Sequence, residues 1–248
     1  MDNYQLTQDQ ITAYGVCLRT EEHTPSTIEK YLRDTRAFAV WLEGRPVTRE
    51  LAAEWRDRLL SSGHKPSTVN SMLAAVNGLF RFLGWGIRVK FLKVQRRLFR
   101  DQSRELTRGE YDLLVNTARA AGKERLALLM EAVCATGVRG SEGKYLTVEA
   151  AQCGRAEIAL KGKIRMILLP NKLCRKLLKY ARKQKIASGE IFLTRSGRSL
   201  SRRQIWAEMK QLCKATGVAS EKVYPHNLRH LFARTFYQAC KDIARLAD

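Results

Sequence analysis

The residues of this chain whose types and spacing could do chemistry begin with Tyr224-Pro225-His226-Asn227-Leu228-Arg229-His230. Pro225 can open a helix, because its missing N–H would have no helical partner there and its φ is already near the helical value. His226 and Arg229 then leave the same helix face one turn apart. An imidazole gives or takes a proton near neutral pH, and a guanidinium offers a rigid fork of donors to two oxygens of one phosphate. A proton carrier beside an anion clamp suits chemistry on a phosphate ester. By itself the pair equally describes a surface His and Arg on a basic helix, so the reading depends on further cations. Two more places supply them. In Ala135-Thr136-Gly137-Val138-Arg139-Gly140-Ser141-Glu142-Gly143 the glycines break a helix and leave Arg139 on a tight turn. In Lys161-Gly162-Lys163 a turn between two short apolar runs makes a hairpin with lysine at its tip.

The charge agrees with an anionic partner. The 248 residues carry a formal net charge of +21, and the isoelectric point is near 10.1. Residues 1–80 sum to −1, residues 81–100 to +7 and residues 101–248 to +15. A field of that sign attracts and steers polyanions, and double-stranded nucleic acid is the expected partner. No run of eighteen apolar residues and no basic amphipathic terminal helix points to a membrane, and the first residues do not read as a secretory signal. The six cysteines form no C-x-x-C pair, so neither a zinc site nor a disulfide framework is expected, and reduced thiols in a cytosol are the simplest reading. No cofactor and no metal site is expected.

The elements that must position these residues follow from periodicity. Leu6 to Leu18, Ile28 to Leu42, Thr48 to Leu60 and Val69 to Leu83 are predicted helices. Pro25-Ser26-Thr27 returns forty-one residues later as Pro66-Ser67-Thr68, an internal duplication of a helical unit. Ser26 and Glu29 have capping-box spacing, with Thr24 as a second candidate cap. Ser67 and Thr68 are candidate DNA contacts, because helix N-termini receive phosphates. Ile87 to Arg104 carries Arg88, Lys90, Lys93, Arg96, Arg97, Arg100 and Arg104 without clear periodicity and reads as a basic connector. Beyond it, Thr107 and Glu110 form another capping box. Helices are predicted from Tyr111, from Arg125 to Ala135, from Leu173 to Gln184, from Ser201 to Thr216 and from Pro225 onward. Short strands are expected at Tyr145–Glu149, Glu157–Leu160 and Ile164–Leu169, with a brief extended piece at Ile191–Leu193. The expected fold is mainly α with a small antiparallel β-sheet.

Taken together, Ala135-Thr136-Gly137-Val138-Arg139-Gly140-Ser141-Glu142, Leu160-Lys161-Gly162-Lys163 running to Leu169-Pro170, and Pro225-His226-Asn227-Leu228-Arg229-His230 resemble the three motif boxes of the tyrosine recombinases, the phage and transposon integrases and Xer-type proteins. The resemblance covers nearly the whole chain. It implies a SAM-like helical core-binding domain at residues 1–87, a basic linker at 88–105 and an α+β catalytic domain at 106–248, closing as a C-shaped clamp on double-stranded DNA. It implies an enzyme that cuts and rejoins DNA through a 3′-phosphotyrosyl intermediate, working as a tetramer on paired sites in the bacterial cytoplasm at the nucleoid. Arg139 and Arg229 would clamp the non-bridging oxygens, and Lys161, with Lys163 as the alternative, would protonate the leaving 5′ oxygen. His226 would assist proton transfer, and Glu142 and His230 would support the pocket.

Departures from the pattern carry their own expectations. Gly140 and Gly143 replace larger residues, and should loosen a helix following Arg139 by about 1 kcal/mol each if they lie in its interior. The family's third box and nucleophilic tyrosine have no counterpart in the sequence, and no arm-binding domain precedes the bundle. Tyr237, Tyr224 and Tyr145 do not fit the role of nucleophile. The expectation is therefore a nucleophile beyond Asp248, with these 248 residues binding DNA, cleaving nothing and self-associating weakly. The rival readings are a non-enzymatic DNA-binding regulator and a topoisomerase IB-like enzyme.

Overall fold

The computed structural model describes residues 4–94, 102–160 and 163–240. The chain forms two compact units, 1–98 and 99–248.

The first unit is built from four helices, α1 (Gln8–Thr20), α2 (Pro25–Leu42), α3 (Arg49–Ser61) and α4 (Pro66–Phe82). Thr7 and Gln10 cap α1 reciprocally, and the Thr48 hydroxyl caps α3. The box expected of Ser26 and Glu29 does not form. Pro25 occupies the first helical turn, Thr24 is the N-cap without a side-chain cap bond, and the Ser26 hydroxyl lies 3.3 Å from that of Thr24. Phe38, Trp55 and Phe80 meet edge to face in the core. Lys30 ties α2 to α4 by donating to both Asp34 at 2.6 Å and the Ser71 carbonyl at 2.9 Å.

The segment after α4 corrects the sequence reading. Residues 87–93 do have a period, and it is two. Ile87 and Val89 are buried and Leu92 is half-buried, while Arg88, Lys90 and Lys93 are exposed. Two asparagines on α4 stand in for a neighbouring strand. Asn77 takes the Val89 N–H and gives to the Val89 carbonyl, both at 2.9 Å. Asn70 does the same for Leu92, at 2.8 and 2.9 Å. Seven residues of helix rise about 10.5 Å and three residues of extended chain about 10 Å, so the two brackets match in register.

The second unit surrounds α6 (Glu124–Thr136), which packs against α5 (Arg108–Ala120), α8 (Asn171–Lys183), α9 (Arg202–Thr216) and α10 (Pro225–Cys240). The Thr107/Glu110 box caps α5, and Ser201 with Gln204 caps α9. The sheet is one antiparallel pair, β1 (Arg155–Leu160) and β2 (Lys163–Leu168), with Leu160 opposite Lys163. The expected strand at Tyr145–Glu149 is absent. Tyr145 ends a 3₁₀ turn, Gly140–Tyr145, and Thr147 caps a six-residue helix, α7 (Val148–Cys153), that Gly154 closes at φ +71°. Only an isolated bridge, Thr147 to Glu190, remains of the extended pairing.

Candidate active site

Three local structures converge in the second unit. The first is the end of α6. Gly137 adopts φ +67°, a region that a Cβ makes costly, and this reverses the chain after Thr136. Arg139 then caps the 3₁₀ turn. No helix follows it, so the helical penalty expected of Gly140 and Gly143 does not arise. A Cβ on Gly140 would lie 3.3 Å from that of Pro225, and Gly143 is buried with Leu129 Cδ1 3.5 Å from where its Cβ would be. Gly140 thus lets the arginine turn approach the first residue of α10.

The second structure is α10 itself. Its start is fixed by buried Asn227, whose amide donates to the carbonyls of Arg104 and Lys222 at 2.9 and 2.8 Å. Arg229 is half-buried and donates from Nη1 to the Gly137 carbonyl at 2.5 Å. His226 is exposed, and its ring meets that of His230 edge to face at 4.4 Å. Burial lowers the basicity of Arg229, the neighbouring Arg139 and Arg165 lower it further, and Glu142 offsets part of this. A guanidinium still remains protonated at any ordinary pH.

The third is β2, which brings Arg165 to Glu142. Glu142 is fully buried, and burial alone would raise its carboxyl pKa. Hydrogen bonds from the Arg139 backbone N–H and guanidinium, with the charges of Arg165 and Arg139, hold it below the ordinary range instead. Arg139, Ser141, Arg202, Trp206, Tyr224, His226 and Arg229 line a single cavity of about 430 Å³. One imidazole and three guanidinium groups around such a space suit a tetrahedral oxyanion.

Of the residues expected from the sequence, the structure brings Arg139, Glu142, His226, Arg229 and His230 together. Lys161 lies outside the described residues, and Lys163 begins β2. Ser67 and Thr68 are exposed in the first turn of α4, whose N-cap Lys65 makes no side-chain cap bond. Arg88, Lys90 and Lys93 are exposed in the first unit, while Arg96, Arg97 and Arg100 lie outside the described residues. Tyr237 is on the surface, the Tyr145 hydroxyl donates to the Ala159 carbonyl at 2.6 Å, and Tyr224 lines the cavity. The sequence reading missed Arg165, Arg202 and Trp206. Arg202 and Trp206 were open to it, standing four apart directly after the Ser201 cap.

Residues 104–248 match the model of the phage integrase family, and residues 11–86 match the phage integrase N-terminal SAM-like domain. The chain is 30% identical to tyrosine recombinase XerC of Roseiflexus castenholzii over 269 residues, covering 97% of this chain and 84% of that one. It is 30% identical to tyrosine recombinase XerD of Brucella suis, covering 88% and 80%. Among solved structures, a lambda integrase tetramer bound to a Holliday junction shares the fold with a TM-score of 0.75 at 19% identity, over 95% of this chain and 74% of that one. The chain belongs to the tyrosine recombinase family, the phage integrases and their Xer relatives.

Proposed function

We propose that this chain is a site-specific recombinase or integrase that acts on double-stranded DNA for a mobile element, cutting and rejoining strands through a 3′-phosphotyrosyl intermediate. The meeting of Arg139, His226 and Arg229 around one cavity carries the proposal. In this reading the two arginines hold the non-bridging oxygens of one phosphate as negative charge builds there. A tyrosine oxygen attacks phosphorus, the P–O5′ bond breaks, and Lys161, with Lys163 as the alternative, gives the proton that leaves a free 5′-hydroxyl. His226 assists proton transfer, Glu142 fixes Arg139, and His230 supports His226. Charge is stabilised by guanidinium groups, with no metal or cofactor invoked. The attacking tyrosine is not assigned to Tyr145, Tyr224 or Tyr237.

Recognition is assigned to Ser67, Thr68, Arg88, Lys90 and Lys93, with Arg96, Arg97 and Arg100 further along the 88–105 connector. These contact the phosphate backbone, and residues 1–87 and 106–248 serve as the core-binding and catalytic parts. The lambda integrase tetramer on a Holliday junction supports a homotetramer on paired sites. The place of action is the bacterial cytoplasm, at the nucleoid.

The test uses a duplex enriched for binding from a randomised pool and nicked near its centre, resolved on a denaturing gel. Hydrogen peroxide is added as a small nucleophile able to replace a tyrosine oxygen. A covalent adduct, or peroxide-dependent scission at one phosphodiester, is the expected result. Tight binding with neither would return the chain to the DNA-binding regulator.

A further inference from the structure

Glu142 serves two arginines, and only one of them lines the cavity. Oε1 accepts from Arg139 Nη1 at 2.7 Å. Oε2 accepts from the Arg139 backbone N–H at 2.7 Å and from Arg165 Nη2 at 2.5 Å. The Glu142 side chain is 0% exposed, whereas that of Arg139 is 51% exposed. A buried carboxylate with a single arginine is a neutral pair. Its arginine has little net field left for a second anion, and the carboxylate would repel that anion at close range. A second guanidinium on the same carboxylate returns the cluster to a net charge of +1.

The fold delivers that second guanidinium by strand alternation. Ile164, Met166 and Leu168 take the exposed face of β2, so Arg165 takes the other, opposite buried Ile158. Arg165 is close enough to Arg229 for its charge to be felt there as well. Lys163 stands two residues earlier on the same strand, so the bond from Arg165 to Glu142 also ties the lysine-bearing hairpin to the arginine turn.

We infer that Arg165 is a positioning residue of the proposed strand-transfer site, holding Glu142 so that Arg139 keeps both its aim and its charge for the phosphate. The inference rests on the phosphate-pocket reading above. It makes the unit of recognition a two-arginine, one-carboxylate cluster, with Arg165 acting through Glu142 and touching no DNA.

The test is a coupling measurement on the full chain. Each phosphate of an enriched duplex is replaced in turn by a neutral methylphosphonate, and binding is measured for wild type, Arg139→Ala, Arg165→Met and Arg165→Lys. Wild type is expected to lose about tenfold at one phosphate, and Arg139→Ala is expected to show no further loss there. Arg165→Met should melt cooperatively yet lose only about twofold or less at that phosphate, while Arg165→Lys, which keeps a cation on Glu142, should retain most of the penalty. Arg165→Gln carries the same expectation should the methionine variant fail to fold. A folded Met or Gln variant with the full penalty would overturn the inference, and so would a folded Lys variant that loses it. If no phosphate couples to Arg139 in wild type, the pocket reading itself fails and the role of Arg165 falls with it.

Discussion

Arg229 donates from Nη1 to the carbonyl of Gly137, 2.5 Å away, and this bond joins the helix that carries His226 to the turn that carries Arg139. Gly137 can offer its carbonyl there because its φ is +67° and because the Phe232 ring lies where a side chain would stand. The distance between the two arginines that line the cavity is therefore set by one glycine. The same close approach recurs at Gly140 and Pro225.

Gly137→Ala should be among the more damaging single changes. Its Cβ would lie 2.6 Å from Phe232 Cδ1. A left-handed conformation with a Cβ costs about 1–2 kcal/mol, and overpacking adds about 1–3 kcal/mol. Urea unfolding should show a loss of about 2–4 kcal/mol with little change in m. A loss under about 0.5 kcal/mol, within the range of an ordinary surface substitution, would mean that the turn is not held as described.

Glu142 makes stability depend on pH in a defined direction. Its folded pKa is depressed, so its contribution is fully present above the unfolded carboxyl value of about 4.3 and is lost as pH falls through the lower folded value. Glu142→Gln should destabilise by about 3–5 kcal/mol near neutrality, because two arginines lose their counter-charge. The gap between wild type and Glu142→Gln should narrow as pH drops below about 4. Thermal melts from pH 3 to 7 would measure it, and a gap that widens in acid would contradict the sign of the shift.

The asparagine brackets should be visible in hydrogen exchange. Asn77→Ala removes the partner of both backbone groups of Val89, and Asn70→Ala does so for Leu92. Each should cost about 1–2 kcal/mol. Amide exchange should speed up at Val89 in the first variant and at Leu92 in the second. Unchanged protection at those two amides would remove the strand-like role given to α4.

DNA affinity should fall steeply with salt. Each of Arg88, Lys90 and Lys93 that meets a phosphate contributes about 0.9 to the slope of log affinity against log salt, so single glutamine substitutions should flatten it by about that much. A slope that none of the three changes would show that the exposed side of the 87–93 segment does not face the duplex.

What the sequence made legible was local. The Thr107/Glu110 box, the helix start at Pro225 and the turn at Gly137 are written in neighbouring residues, and so is the hairpin from Arg155 to Leu168. Tyr145–Glu149 was misread because aromatic and β-branched residues suggested a strand, whereas the Thr147 hydroxyl caps a helix. The Ser26/Glu29 box lost to Pro25, which already starts α2. Arg165 was hidden because its role needs both the register of β2 and the burial of a carboxylate twenty-three residues earlier. The Asn70 and Asn77 brackets were hidden because they depend on a match between helical and extended rise that no short window contains.

The most direct test of the central claim is the chemistry at the one phosphate that Arg139 and Arg229 are proposed to share. On the nicked, enriched duplex with peroxide, the wild-type chain should release a free 5′-hydroxyl at a single position. Arg139→Ala and Arg229→Ala should each lower that rate by about 100-fold or more, while binding weakens by about tenfold or less. Scission that survives both substitutions, or specific binding that never yields scission or an adduct, would contradict the account.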